Sequence, residues 1–228
     1  MKDSWVDIWN LRTSLYGFLA NSLLEPIQGP FTKVFTREFW EGFPIECANV
    51  QMESGLEQLI DCSSKLEVLS EEEAKELAMV EYTELFLGPG LPSAPPWESL
   101  YRTNEKIHFG WTTFEMRQLL YANGLESKTK DQHPEDHIGL QLMLLSVLSK
   151  QLTTLEVDQQ VSRIKEQIAF INQHLLSWIP ELTRDAKENG TIGFYGGLIE
   201  LIWGILLWDR ELMQEFIDSS EKNVVPSI

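Results

Sequence analysis

The sequence predicts an all-α fold, a single-domain bundle of about eight to ten helices, and three observations carry that reading. Apolar residues recur at spacings of three and four along most of the 228 residues. No alternating apolar and polar run is long enough to build a sheet. The interruptions fall at clusters of proline and glycine, which end helices and leave no interior strand. A chain of this length can bury a sizeable core, and 43% hydrophobic residues place it among globular rather than disordered proteins.

The elements follow in order. A first helix, about Ser4 to Leu24, sets Ile8, Leu11, Leu15, Leu19 and Leu23 on one face, and the EPIQGP after it stops the helix. Further helices cover Cys47 to Leu66 and Glu71 to Phe86. The latter opens with Ser70 as N-cap and Glu73 three residues on, a capping box with acids in its first turn. It ends at a stretch rich in proline and glycine, residues 88–97, read as a hinge loop between N-terminal and C-terminal groups of helices. Thr103 to Asn123 reads as a helix closed by Gly124 in the left-handed position. The next helix begins at HPEDH, with Pro134 at its first position and Glu135 and Asp136 in its first turn, and is apolar nearly all round. From Val157 to Trp178, the residues Val157, Val161, Ile164, Ile168, Ile171, Leu175 and Trp178 draw one stripe, which Pro180 breaks or restarts. The last helix, about Ile192 to Phe216, is apolar on most sides, and the glycines of GFYGG inside it suit close helix packing.

Charge narrows the partners. Lys and Arg total 18 against 35 Asp and Glu, a formal charge of −17, which repels nucleic acid and anionic lipid and favours a cationic peptide. Cys47 and Cys62 form no CxxC pair, and no Cys and His cluster has zinc spacing, so neither a disulfide nor a structural metal is implied, and no motif calls for a cofactor. The N-terminus has no continuous apolar core or cleavage site of a secretory signal, and a cytoplasmic protein is expected. Ile192 to Trp208 carries the single charge Glu200 and is short for a span, with Asp209, Arg210 and Glu211 following; a buried core helix is expected, with no stable membrane insertion.

Two stretches could carry function. In HPEDH, His133 and His137 stand four apart, but Pro134 at the helix start sets His133 outside the helix, and acids in a first turn complement the helix dipole without further purpose. Asp136 and His137 at a helix start would also suit a polar surface site. The second is LFLGPGLPSAPPWESLY, where Leu85 and Phe86 continue a helix pattern into the core. Trp97 and Tyr101 sit on a proline-stiffened loop that loses little entropy on binding, flanked by Glu84, Glu98 and Glu105. An apolar groove rimmed by carboxylates suits a peptide with arginines beside a hydrophobic run. No GxSxG, GxxxxGK[ST] or GxGxxG motif supports nucleophilic or nucleotide chemistry.

These stretches resemble the signatures of the TorD/DmsD family, cytoplasmic chaperones of redox enzymes exported by the twin-arginine route. Tyr82, Leu85-Phe86-Leu87-Gly88-Pro89 and Ala94-Pro95-Pro96-Trp97-Glu98-Ser99-Leu100-Tyr101 match its first region. Pro134-Glu135-Asp136-His137-Ile138-Gly139-Leu140 matches its second, and HLLSW at His174 to Trp178 is a weaker third. The resemblance implies an all-helical, non-catalytic protein that binds the twin-arginine leader of a molybdopterin oxidoreductase, of dimethyl sulfoxide or trimethylamine N-oxide reductase type, and the apo-form of its catalytic subunit. It would hold the leader back until cofactor insertion and folding are complete. The family's leader-binding positions fall here on Leu85, Phe86, Pro96, Trp97, Tyr101, Asp136 and His137. Gly90 stands where DmsD-like members often carry Trp, which leaves the client open. A monomer or a helix-exchanged homodimer is compatible with the family. Two alternatives stand beside this reading: a nitrate-reductase-type chaperone acting on a mature subunit, and a hydrolase or nucleotide-binding enzyme using Asp136 and His137.

Overall fold

The computed structural model describes residues 2–88, 90–102, 109–127 and 134–224, without the side chains of residues 2–4, 29–31, 223 and 224. It is all-α, as expected. The helices are α1 (Lys2–Leu24), α2 (Arg37–Glu41), α3 (Val50–Leu66), α4 (Glu71–Tyr82), α5 (Ser99–Arg102), α6 (Trp111–Ala122), α7 (Ile138–Leu152), α8 (Val157–Phe170), α9 (Ile179–Asn189) and α10 (Phe194–Val224). A 3-10 helix at Gly29–Phe35 precedes α2, and single π-helical turns extend α4 over Thr83–Leu87 and α8 over Ile171–Leu175. Among the described residues no helix is long and apolar enough to cross a membrane.

The chain forms two compact units. The first contains Met1–Leu24, Trp97–Ser177 and Leu206–Ile228; the second contains Glu25–Pro96 and Trp178–Ile205. The boundary at Pro96 lies within the stretch 88–97, but the units are not N-terminal and C-terminal groups of helices. α10 is long and apolar enough to give its first part to one unit and its last part to the other, and α1 joins helices more than a hundred residues away in sequence.

In the first unit α1 packs along α7. Gly17 approaches Ser146 so closely that an added Cβ would lie 3.4 Å from its Oγ, and the Ser146 hydroxyl donates to the Thr13 carbonyl at 2.7 Å. Trp5, Trp9 and Phe216 cluster at centroid distances near 5 Å, from 4.9 to 5.3 Å. Buried beside them, Arg12 donates to both oxygens of Asp209 at 2.6 and 2.9 Å and to Gln167 Oε1 at 2.9 Å. The Tyr16 hydroxyl donates to Asp209 at 2.6 Å. A charge pair this deep is tolerable because hydrogen bonds fill its acceptors.

In the second unit α3 crosses the start of α10 at glycine-limited distance. A Cβ on Gly55 would fall 2.4 Å from the Leu201 nitrogen, and one on Gly204 would fall 2.5 Å from the Met52 nitrogen. Asn49 caps α3 by accepting from the Met52 N–H at 3.0 Å, and its amide donates to the Gly204 carbonyl at 2.9 Å. The entry to α10 is held from a distance: the buried Glu81 carboxylate accepts the N–H groups of Ile192, Gly193 and Tyr195 at 2.8, 2.6 and 3.0 Å. Gly193 takes φ +82° there, a turn that suits glycine. Leu198, Ile199, Leu201 and Ile202 are fully buried, and Glu200 is bonded to Ser54 and Lys187, so the apolar run from Ile192 is core.

Several expected boundaries shift. α6 starts at Trp111 with Gly110 as N-cap, and Thr103–His108 lie outside the described residues, Glu105 among them. α7 starts at Ile138, not at Pro134, because Pro134 to Asp136 turn before it and His137 is the N-cap. The stripe from Val157 buries Ile164, Ile171, Leu175 and Trp178 but leaves Val157 exposed, and the π turn adds a residue before Pro180 opens α9.

Candidate functional site

In the first unit the two motif segments come together through their backbones. Trp97 and His137 form an isolated antiparallel β-bridge, and their rings meet edge to face at 5.6 Å. The Glu98 N–H donates to the Asp136 carbonyl at 3.1 Å. The Asp136 carboxylate fastens the junction: Oδ2 accepts the Ser99 N–H and the Thr112 hydroxyl, both at 2.7 Å, and Oδ1 accepts the Thr113 hydroxyl at 3.0 Å. One fully buried side chain thus ties the start of α5, the start of α6 and the turn before α7. His137 Nδ1 accepts the Gly139 N–H at 3.0 Å, which makes the imidazole the N-cap of α7 and leaves Nε2 to carry the ring proton when neutral.

A second carboxylate extends the network. Glu98 is fully buried; its Oε2 accepts from Gln141 Nε2 at 2.7 Å and lies 3.1 Å from His174 Nδ1, and its Oε1 is 3.4 Å from Arg102. His174 sits on the π turn of α8, with Nε2 3.7 Å from Glu115 on its other side. Burial pushes the Glu98 carboxyl above its usual range; His174 pulls it back, the neighbouring Asp136 adds to the rise, and Arg102 offsets part of it. Arg102 also donates to the Gln173 carbonyl at 2.7 Å and stacks on Trp111, its guanidinium carbon 5.2 Å from the ring centroid. At the rim, Arg117 grips Glu135 in a bidentate pair at 2.6 and 2.9 Å. A groove of about 280 Å³ opens beside that pair, lined by Arg117, Leu120, Tyr121, Leu125 and Glu135.

The arrangement corrects the expectation of a polar surface at HPEDH. Asp136 is buried because it is recruited by donors from distant segments, and the acids do not form a first helical turn. Trp97 and His137 are buried against each other, and Tyr101 is half-buried on α5. Leu85, Phe86 and Pro96 belong to the second unit and are buried there; Tyr82, Phe86 and Tyr195 pack edge to face at 5.1 to 5.4 Å. Held by three donors from α5 and α6, the Asp136 carboxylate positions the backbone of the junction. His133 lies outside the described residues, and among those described no group of three or more His, Cys, Asp and Glu could hold a metal ion.

Sequence reading missed Thr112, Thr113 and Arg117, whose local surroundings carry no motif, and Gln141, which directly follows the second motif. Glu81 could have been found: an acid between the buried Ala78 and Tyr82 of an amphipathic helix falls on the core face and needs donors there.

Comparison with known proteins agrees with the motifs. The family model described as nitrate reductase delta subunit matches residues 49–184, more than half of the chain. A Vibrio cholerae protein named chaperone protein TorD is 30% identical over 141 residues, 61% of this chain and 64% of its own length; the chain therefore spans just under two thirds of that relative. A Vibrio vulnificus protein of the same name is 26% identical over 207 residues, 89% of this chain and 94% of its own. A Haemophilus influenzae protein named "Probable Tat proofreading chaperone DmsD" is 28% identical over 134 residues, 59% of this chain and 61% of its own. These are names of chaperones. With the motif segments joined at Asp136 and the match running from α3 into α9, the chain belongs to the TorD/DmsD family.

Proposed function

We propose that the 228 residues act as one cytoplasmic chaperone domain that binds the twin-arginine leader and the apo-form of a molybdopterin oxidoreductase, of dimethyl sulfoxide or trimethylamine N-oxide reductase type, and assists its maturation before export. The observation that carries the reading is the junction of the two family motifs, Trp97 against His137 and Asp136 onto Ser99, in a chain related to proteins named TorD and DmsD. Trp97, Tyr101, Asp136 and His137 then serve leader binding by fixing α5, α6 and α7, and Leu85, Phe86 and Pro96 by fixing the π turn and the loop after it. Calorimetric titration with an arginine-pair leader peptide tests this. Saturable binding that weakens when the pair becomes two alanines is expected; no binding of any such leader overturns it.

A second reading, that the client contact is a mature subunit, draws on the description of the matching family model as a nitrate reductase delta subunit. Complex formation with a folded apo-subunit lacking its leader, together with no affinity for the leader alone, would favour it. The hydrolase reading has no nucleophile or phosphate-binding motif behind it, and the Asp136 carboxylate is held by three donors of the fold.

A further inference from the structure

The outward side of α4 and its π turn is more apolar than a solvated helix face requires. Leu77, Met79, Val80 and Leu87 are 40, 43, 45 and 49% exposed, and Leu91 in the following loop is 58% exposed. The helix buries Ala74, Ala78, Glu81 and Tyr82 on its opposite side, so its core contact is already made without them. Single exposed apolar residues are ordinary, but this many within fifteen residues of chain form a patch. Glu72, Glu76 and Glu84 are exposed among them, and the one lysine of α4, Lys75, is bonded to Glu71 at 2.7 Å.

The patch rests on fixed backbone. The Gly88 N–H donates to the Thr83 carbonyl at 2.7 Å, the Ser93 hydroxyl to the Glu84 carbonyl at 3.0 Å, and the Ala94 N–H to the Leu85 carbonyl at 2.9 Å. Pro92 stiffens the loop between Leu91 and Ser93. Leu87 and Leu91 therefore lose little freedom when covered.

We propose that this face is the docking surface for a basic amphipathic segment, an arginine pair beside a short apolar run, with Glu76 and Glu84 meeting the cations and Leu77, Val80, Leu87 and Leu91 the apolar residues. Charge complementarity selects this occupant: unneutralised carboxylates interleaved with leucines disfavour a neutral or acidic partner. The inference rests on the leader reading and deepens it. Leu85 and Phe86 hold the segment from within, and the peptide meets its other side.

Two probes and three variants test it: an arginine-pair leader peptide, and a basic amphipathic peptide of equal charge lacking the pair, against Leu77→Gln/Val80→Gln/Leu87→Gln, Glu76→Lys/Glu84→Lys and the control Val50→Gln/Val68→Gln, at exposed positions outside the patch. Every substitution is at an exposed position, and melting curves confirm that the fold is retained. Expected is a Kd raised about tenfold or more by each of the first two variants, the size of one anchor residue lost, and unchanged by the control. Leader binding that is equal in wild type and both patch variants overturns the surface and leaves the leader reading standing. Patch-dependent binding of both peptides with no preference for the pair keeps the surface and removes the leader reading. No binding of either peptide to wild type overturns both. A dimer that the patch substitutions dissociate assigns the face to a second copy and overturns the proposal.

Discussion

Glu98 is a carboxyl placed where its charged form is poorly solvated. Burial raises its pKa above the value of about 4.3 it has in an unfolded chain. Its contribution to stability is therefore complete below that value and is lost as pH rises through the higher folded value. Glu98→Gln, which copies the protonated form, should remove this part of the pH dependence. Urea unfolding of both proteins from pH 4 to 7 should show the wild type losing ground to the variant as pH rises; parallel curves would assign the slope to another group. Asp136 makes the opposite demand, because three donors need both its oxygens. Asp136→Asn turns an amide N–H₂ toward one of those donors, leaving at least one buried group unsatisfied at about 1 to 3 kcal/mol, read as a lower urea midpoint with unchanged m-value. Loss of leader affinity in that variant should follow its loss of stability, with no dependence on salt, since the carboxylate is buried and bonded internally.

The helices themselves were legible because the period of 3.6 is written into Leu15, Leu19 and Leu23 and into Ile164, Ile171 and Leu175, all buried. Local signals also held: Ser70 and Glu73 form a reciprocal capping box, and Gly124 takes φ +71° with the Leu125 N–H reaching back to the Leu120 carbonyl at 2.9 Å. What local reading missed was decided from afar. Pro134 followed by two acids imitates a helix start, but Asp136 answers to Thr112 and Thr113, and the helix waits for His137. The π turn at Thr83–Leu87 is likewise invisible to a period count, since it buries Leu85 and Phe86 and leaves Leu87 exposed. Both motif segments of the site were legible as motifs; their burial was not, because burial depends on partners that no motif names. Helix crossing gives a direct test of packing at this scale. Gly55→Ala puts a methyl 2.4 Å from the Leu201 nitrogen, where only backbone could yield, and should destabilise by about 1 to 3 kcal/mol or more. Gly17→Ala meets only Ser146 Oγ at 3.4 Å and should be neutral, or stabilising by up to about 1 kcal/mol through helix propensity. Thermal melts that shift equally for the two would refute the close crossing.

At the scale of the molecule, the charge of −17 exceeds what the fold uses internally through buried carboxylates such as Glu81, Glu98 and Asp136. Many of its cations are already committed: Arg37 to Glu41, Lys65 to Asp61, Lys75 to Glu71, Arg117 to Glu135 and Arg12 to Asp209. Each such pair removes a positive charge from the outer field along with a negative one, so the remaining carboxylates set the sign of the potential a partner meets. A basic segment approaching this surface is drawn in over roughly a Debye length, about 30 Å at 0.01 M salt and about 10 Å at 0.1 M. The attraction acts mainly on encounter, while apolar contact governs how long the complex lasts. Stopped-flow association of an arginine-pair leader peptide should therefore slow about tenfold or more between 0.01 and 0.5 M salt, with the dissociation rate changing far less. A rate of association independent of salt would mean that the acidic surface plays no part in capturing the peptide. A dissociation rate that carries the whole salt effect would place the deciding charges inside the contact and the diffuse field outside the mechanism.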